Sequence, residues 1–225
     1  RSTLFPYTTL FRSVKFCNNN LYRGETLICM KCLHRLPKND MHYEKGNILE
    51  KKFWGKADVE RVTSFLRYIK KSDVQRLINK LKYKGEKEIG VFLGKYAAAE
   101  LVDNDVFGSV DVIVPVPLHK SKYRKRGYNQ SRCIADGMAE IMGIPVDEGN
   151  LYRAVENPTQ TRKSTYERWE NTKGIFELTD GSLFDGKHIL LVDDVLTTGS
   201  TLIACVEAIR EKCNAKISVF TLASA

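Results

Sequence analysis

The hydrophobic pattern changes rhythm near residue 60. Residues 38–59 are polar, without sustained periodicity, and read as a linker that docks through Phe53 and Trp54. From there RVTSFLRYIK alternates as a strand does. Ser72 or Asp73 can cap a helix whose Val74, Leu77, Ile78 and Leu81 share one face. KYKG interrupts at Gly85, and a second helix runs over about 86–102. DVIVPVPL is an apolar, β-branched run of the kind buried in parallel sheets. A helix over about 128–142 follows, with Ile134, Met138 and Ile141 on its apolar face and Gly143 at its stop. GIFEL and KHILLVDDV are strands, STLIACVEAIREKC is a helix, and AKISVFTLA is a last buried strand. Strands alternating with helices predict an α/β fold, a doubly wound, mainly parallel sheet. Residues 153–173 are polar and basic, too long for a plain connection, and carry the length of a functional loop.

Composition narrows the class. The chain has 225 residues, 43% hydrophobic and 28% charged, as in a globular protein with one full domain and a small appendage. No apolar run reaches the roughly 20 residues that span a bilayer, and no signal peptide is visible, so membrane insertion is not expected and a cytoplasmic location is. A net charge of +9 suggests polyanionic partners: phosphorylated metabolites, nucleic acid, or both. Of the six cysteines, Cys133, Cys205 and Cys213 fall in helices or helix ends and read as buried small apolar residues or inert surface thiols. Cys17, Cys29 and Cys32 have metal-type spacing. The histidines add little: His188 begins a strand and reads as a surface residue, while His34 and His42 bear only on the metal.

HILLVDDVLTTGSTL carries the clearest chemistry. An apolar strand ends in two carboxylates, Asp193 and Asp194, and a small-residue loop, Thr197-Thr198-Gly199-Ser200-Thr201, leads into a helix. Backbone N–H groups at such a helix start favour a phosphate. The hydroxyls add donors. Paired acids would repel that phosphate, so they suit hydroxyl donors or a metal. A sugar phosphate offers both.

This stretch resembles the phosphoribosyl pyrophosphate motif of type I phosphoribosyltransferases. The resemblance implies that Asp193 and Asp194 hold the ribose hydroxyls and that residues 197–201 wrap the 5-phosphate. IVPVPLHKSKYRKRGYNQS resembles the pyrophosphate loop: Pro115, Val116, Pro117, Leu118 and His119 form the turn, the basic run through Arg126 faces the diphosphate, and Gly127 opens a helix. The loop 153–173, with Gln160, Arg162, Lys163 and Arg168, resembles the lid of this fold, so Arg162 and Lys163 join the two aspartates as catalytic candidates. Mg²⁺ would accompany the diphosphate. Purine-salvage members often carry an extra Asp at the place of Thr197, so its absence argues against a hypoxanthine or guanine acceptor.

A narrower resemblance covers nearly the whole chain from residue 14. LINKLKYKGEKEIG, VPVPLHKSKYRKRGYNQS, PTQTRKSTYERWENTKGIF and LLVDDVLTTGSTL, after a Cys-rich start, occur in this order in the ComF family. These are bacterial phosphoribosyltransferase-like proteins associated with DNA uptake in natural competence. Two functions of different classes follow. One is a transferase moving a phosphoribosyl group to an acceptor. The other is a non-catalytic competence factor that binds single-stranded DNA or protein partners, with Tyr123, Tyr128, Tyr166 and Trp169 as base-stacking candidates.

The organisation expected is therefore residues 14–37 as a zinc-finger-like module, 38–59 as a linker and 60–225 as the phosphoribosyltransferase-like domain. Family members commonly begin with two C-x-x-C pairs. Here Val14 stands where the first cysteine of the first pair is expected, leaving Cys17, Cys29 and Cys32 as an incomplete zinc set with His34 or His42 as substitutes. Zinc is thus expected in the parent protein and doubtful in this chain. TLFPYTTLFRS resembles a translated sequencing adaptor, so residues 1–13 are expected not to be native.

Overall fold

A computed structural model describes residues 27–154 and 174–225. The chain divides into two compact units between Leu36 and Pro37. In the first, a single helical turn, α1 (Met30–His34), begins after Cys29, whose carbonyl accepts the Leu33 N–H.

The second unit is built on a four-stranded parallel sheet. Its strands are β1 (Arg61–Arg67), β2 (Val112–Pro115), β5 (His188–Leu196) and β6 (Lys216–Ser224), in the spatial order β1-β6-β5-β2. β3 (Leu151–Arg153) and β4 (Phe176–Leu178) form a separate antiparallel pair, so GIFEL does not join the main sheet as expected. β5 and β6 are apolar over most of their length because helices cover both faces.

The helices are α2 (Asp73–Tyr83), α3 (Lys87–Leu101), α4 (Lys120–Arg126), α5 (Gln130–Met142) and α6 (Ser200–Arg210). Ser72 caps α2, accepting from the Gln75 N–H, and Val74, Leu77, Ile78 and Leu81 are its buried face, as periodicity predicts. In α5, Ile134 and Met138 are buried, but Ile141 is exposed. It lies on the last turn of the helix. The contact of α5 with α3 depends on missing side chains. A Cβ at Gly94 would meet the Ile134 carbonyl oxygen at 2.2 Å, and one at Gly137 would meet that of Val91 at 2.1 Å. The two backbones touch, which fixes where the first turn of α5 points.

Residues 38–59 are not a linker. Pro37 and Asn39 bond to β1 along its open edge, through Arg67 N–H to Pro37 O and Asn39 N–H to Phe65 O, each 2.8 Å. Such cover protects an edge strand. The buried Asn39 amide reaches the Ser64 and Ser224 hydroxyls at 2.7 and 3.1 Å. Asn47 and Glu50 are buried and bonded to the Val62 peptide, and Phe53 enters the core. Trp54 stays exposed, so the docking aromatic is Phe53 alone. Polar residues hid this packing from a hydrophobic pattern because buried hydrogen bonds hold the segment alongside the few apolar anchors, Leu49 and Phe53.

His188 also departs from expectation. It is buried, with Nδ1 2.9 Å from the Ser109 hydroxyl and Nε2 2.9 Å from that of Ser218. Burial holds its pKa below the usual imidazole value. Cys133 and Cys205 are buried, as their helical positions suggest.

Candidate functional site

Ligands in open parallel sheets bind at the carboxyl ends of the strands. Here that end is open because neighbouring strands stop at different heights. β2 pairs with β5 only as far as Pro115 opposite Val192, whereas β5 continues to Leu196 against β6. Asp193 and Asp194 therefore lie inside a strand, not after it, on a stretch that has lost its neighbour on one side. A cleft of about 460 Å³ occupies the space, lined by both acids, Val116, Pro117, Leu118, Thr197 and Thr201.

The first turn of α5 fills the edge left by β2. Asn129 caps it, accepting from the Ser131 N–H at 3.1 Å, and its own amide donates to Val116 O at 3.1 Å. Two successive side chains then reach the acids. Gln130 Nε2 donates to Asp194 Oδ2 at 2.8 Å, and Ser131 Oγ donates to Asp193 Oδ1 at 2.9 Å. From the other wall, Lys82 of α2 forms an ion pair with Asp194 Oδ1 at 2.8 Å.

The two acids are not equivalent. Both oxygens of Asp194 are engaged. Asp193 Oδ1 accepts from Ser131 and from the Asp194 N–H at 2.8 Å, while its Oδ2 accepts no hydrogen bond among the described residues. Burial, then the neighbouring Asp194 charge, pushes the Asp193 carboxyl up to about 7.

Cations share the cleft with the acids. Lys82, Lys122, Arg126 and Arg153 all line it. Burial lowers the Lys122 pKa, and Arg153, Arg126 and Lys82 lower it further. A lysine ammonium opposed by neighbouring cations favours an anion beside it. Arg126 lies over the Tyr83 ring at 5.2 Å, which fixes its height.

The small-residue loop reaches the cleft through Thr197 and Thr201. Gly199, at φ 83°, turns the chain into α6 and offers no side-chain cap; the Ser200 N–H donates to Thr198 Oγ1 at 3.5 Å, and the next N–H groups of the first turn have no partner inside the helix. Lys52 fastens the loop from below, donating to Thr197 O at 2.5 Å and to Ala225 O at 2.9 Å.

Several sequence expectations change. The basic run KSKYRKR is not a loop but α4, and Gly127 closes that helix in the left-handed conformation instead of opening the next. Pro115 is buried in β2, and Pro115, His119 and Gly127 do not line the cleft, whereas Val116, Pro117, Leu118 and Arg126 do. Thr198, Gly199 and Ser200 shape the loop without lining the cleft; Thr198 and Ser200 hydroxyls pair at 3.0 Å. Tyr128 is buried with its hydroxyl on Leu81 O, so it cannot stack a base. Gln160, Arg162, Lys163, Tyr166, Arg168 and Trp169 lie outside the described residues, as does Cys17. Lys82, Gln130, Ser131 and Lys52 were missed. Each is an ordinary polar residue in its own segment and becomes part of the site only through tertiary contact.

No group of three or more metal-binding side chains occurs among the described residues. A divalent cation here would have to take most of its oxygens from a ligand and water. That fits Mg²⁺, which is commonly held by one or two carboxylates plus substrate phosphates. Asp193 Oδ2 is the carboxylate oxygen left for it. In the first unit, Cys29 and Cys32 stand one helical turn apart, both buried, as a C-x-x-C half-site requires.

A parallel sheet whose strand–loop–helix sets two acids beside a phosphate-type loop defines a type I phosphoribosyltransferase fold. The phosphoribosyl transferase domain family matches residues 124–225. Competence protein F of Haemophilus influenzae is 34% identical over 116 residues, 51% of this chain and 51% of that protein. DNA utilization protein YhgH of Escherichia coli K12 is 27% identical over 203 residues, 89% and 85%. Competence protein ComFC of Bacillus subtilis is 34% identical over 112 residues, 49% and 43%. The chain belongs to the ComF family. Its match spans about half the length of the Haemophilus and Bacillus relatives.

Proposed function

We propose that the cleft binds phosphoribosyl pyrophosphate together with Mg²⁺, and that the protein serves DNA uptake in competence, as the names of its relatives suggest. The observation that carries the reading is that acids and cations share one cleft. Acids capable of taking ribose hydroxyls stand on β5, and Lys122, Arg126 and Arg153, suited to a diphosphate, line the same cleft, with Thr197 and Thr201 at the helix start for the 5-phosphate. Mg²⁺, when bound, would neutralise diphosphate oxygens, with Asp193 the side chain available to it directly or through water. In a transfer reaction the diphosphate leaves ribose C1 as an acceptor attacks. Lys122, Arg126 and Arg153 would stabilise the charge that develops on it, an electrostatic task. The test is release of pyrophosphate across amine and nucleobase acceptors. Turnover with one class identifies a transferase; binding without turnover leaves a ligand-regulated competence factor.

A second reading has its own observation. α4 carries Lys120, Arg124 and Lys125 on its exposed side, with Tyr123 exposed among them and Tyr83 exposed nearby. Single-stranded DNA would track such a surface. Salt-dependent DNA binding that phosphoribosyl pyrophosphate competes away would place both ligands in one site. Binding indifferent to Asp193→Asn would place DNA elsewhere.

Cys29 and Cys32, with Cys17, would hold zinc through thiolates. Zinc analysis of this chain beside Val14→Cys tests the missing fourth ligand: more zinc in the variant supports it, and equal stoichiometric zinc refutes it.

A further inference from the structure

The adjacent acids invite one shared role, gripping vicinal ribose hydroxyls. Their surroundings point to separate ones. Asp194 spends Oδ2 on Gln130 and Oδ1 on Lys82, leaving no oxygen uncommitted. Asp193 keeps Oδ2 open toward the cleft.

Lys82 is the counterpart. Its ammonium has three donors. It makes no other hydrogen bond or ion pair with described residues beyond Asp194, and it lines the cleft. The pair is sheltered, with side chains 21% and 7% exposed, so it is not a solvent-screened surface bridge. Its backbone is also held. Leu81 is fully buried, and the Leu81 carbonyl accepts the Tyr128 hydroxyl, which ties the last turn of α2 to the segment entering α5. The ammonium is therefore set in place before any ligand arrives, which is what charge stabilisation requires.

We infer that Asp193 and Asp194 divide their labour: Asp193 alone takes a sugar hydroxyl, and Asp194 is a positioning residue that holds the Lys82 ammonium against the diphosphate. The inference rests on the reading of the cleft given above and adds a diphosphate ligand from α2, outside the basic run.

The test uses three probes on the full chain by calorimetric titration with Mg²⁺: phosphoribosyl pyrophosphate, inorganic pyrophosphate and ribose 5-phosphate. Lys82→Met should weaken both diphosphates by about tenfold or more, and ribose 5-phosphate by no more than about twofold, the loss expected of one charge-assisted hydrogen bond. Lys82→Arg should recover most of the diphosphate affinity. Asp193→Asn should weaken ribose 5-phosphate at least about tenfold, and Asp194→Asn by no more than about threefold. Should Lys82→Met strand a buried charge and unfold, Lys82→Met with Asp194→Asn removes the pair as neutral groups and should show the same diphosphate loss. Diphosphate affinity unchanged by Lys82→Met or by the double variant overturns the inference. So does equal loss of ribose 5-phosphate in Asp193→Asn and Asp194→Asn. A wild-type chain that binds none of the probes defeats the reading of the cleft instead.

Discussion

Ser131 Oγ donates to Asp193 Oδ1 across 2.9 Å, joining the first turn of α5 to the strand that carries the acids. This contact links packing to chemistry. Gly94 and Gly137 bring α3 and α5 into backbone contact, that contact aims α5, and the aim sets Gln130 and Ser131 on the two carboxylates. The Ser131 bond favours the charged carboxylate and partly offsets the burial that opposes it. Ser131→Ala should therefore raise the Asp193 titration midpoint further above about 7, and cost about 1.5–3 kcal/mol where Asp193 is ionised. Carboxyl-carbon NMR titration of wild type and variant checks the direction.

Asp193 should also leave a signature in stability. Burial and the Asp194 charge push its carboxyl up to about 7, well above the ordinary carboxylate value, so between roughly pH 4 and 7 the native state should bind a proton that the unfolded state has lost. The stability this contributes is present at low pH and falls as pH rises through about 7. Asp193→Asn should flatten that part of the profile. Denaturant midpoints at several pH values measure it. Ligand affinity should move the opposite way in the wild type, rising with pH as the carboxylate becomes available to a hydroxyl.

Gly137→Ala should be among the most damaging single-methyl changes in the chain. Its Cβ would stand 2.1 Å from a carbonyl oxygen, and backbone must shift to admit it. Overpacking of this kind costs about 1–3 kcal/mol. Because α5 would move, phosphoribosyl pyrophosphate affinity should fall along with stability. Thermal unfolding and titration on the same sample separate the two effects.

Gly199→Ala tests the loop by itself. The position has room for a Cβ, with nothing nearer than 3.7 Å, but its φ of 83° penalises any side chain. The expected cost is about 1–2 kcal/mol. It should appear mainly as weaker binding of ribose 5-phosphate, since the loop carries the N–H donors of α6. Inorganic pyrophosphate should bind nearly as before.

How far the sequence foretold this site depends on what held each part together. The parallel strands and α2 were legible because burial imposes a period on Val74, Leu77, Ile78 and Leu81 and continuous apolar runs on β5 and β6. The acids and the Thr197–Thr201 loop were legible because a strand, two carboxylates and a glycine turn have few other uses. Residues 38–59 were misread because Asn39, Asn47 and Glu50 fold by hydrogen bonds, which leave no hydrophobic rhythm. KSKYRKR was read as a loop because its charges suggested a ligand; helix α4 has no buried residue, and its punctuation is His119, an uncommon cap that accepts the Ser121 N–H, and Gly127. Lys82 was invisible for another reason. Its partner is more than a hundred positions away, and only the fold brings α2 to β5.

The central claim is that one cleft takes a pentose phosphate and a diphosphate together. Calorimetric titration of the full chain with phosphoribosyl pyrophosphate, with and without Mg²⁺, tests it most directly. The account predicts one site per chain, tighter with Mg²⁺, competed by inorganic pyrophosphate and weakened by Asp193→Asn. Absence of saturable binding under both conditions, from a chain that is folded by thermal unfolding, would contradict it.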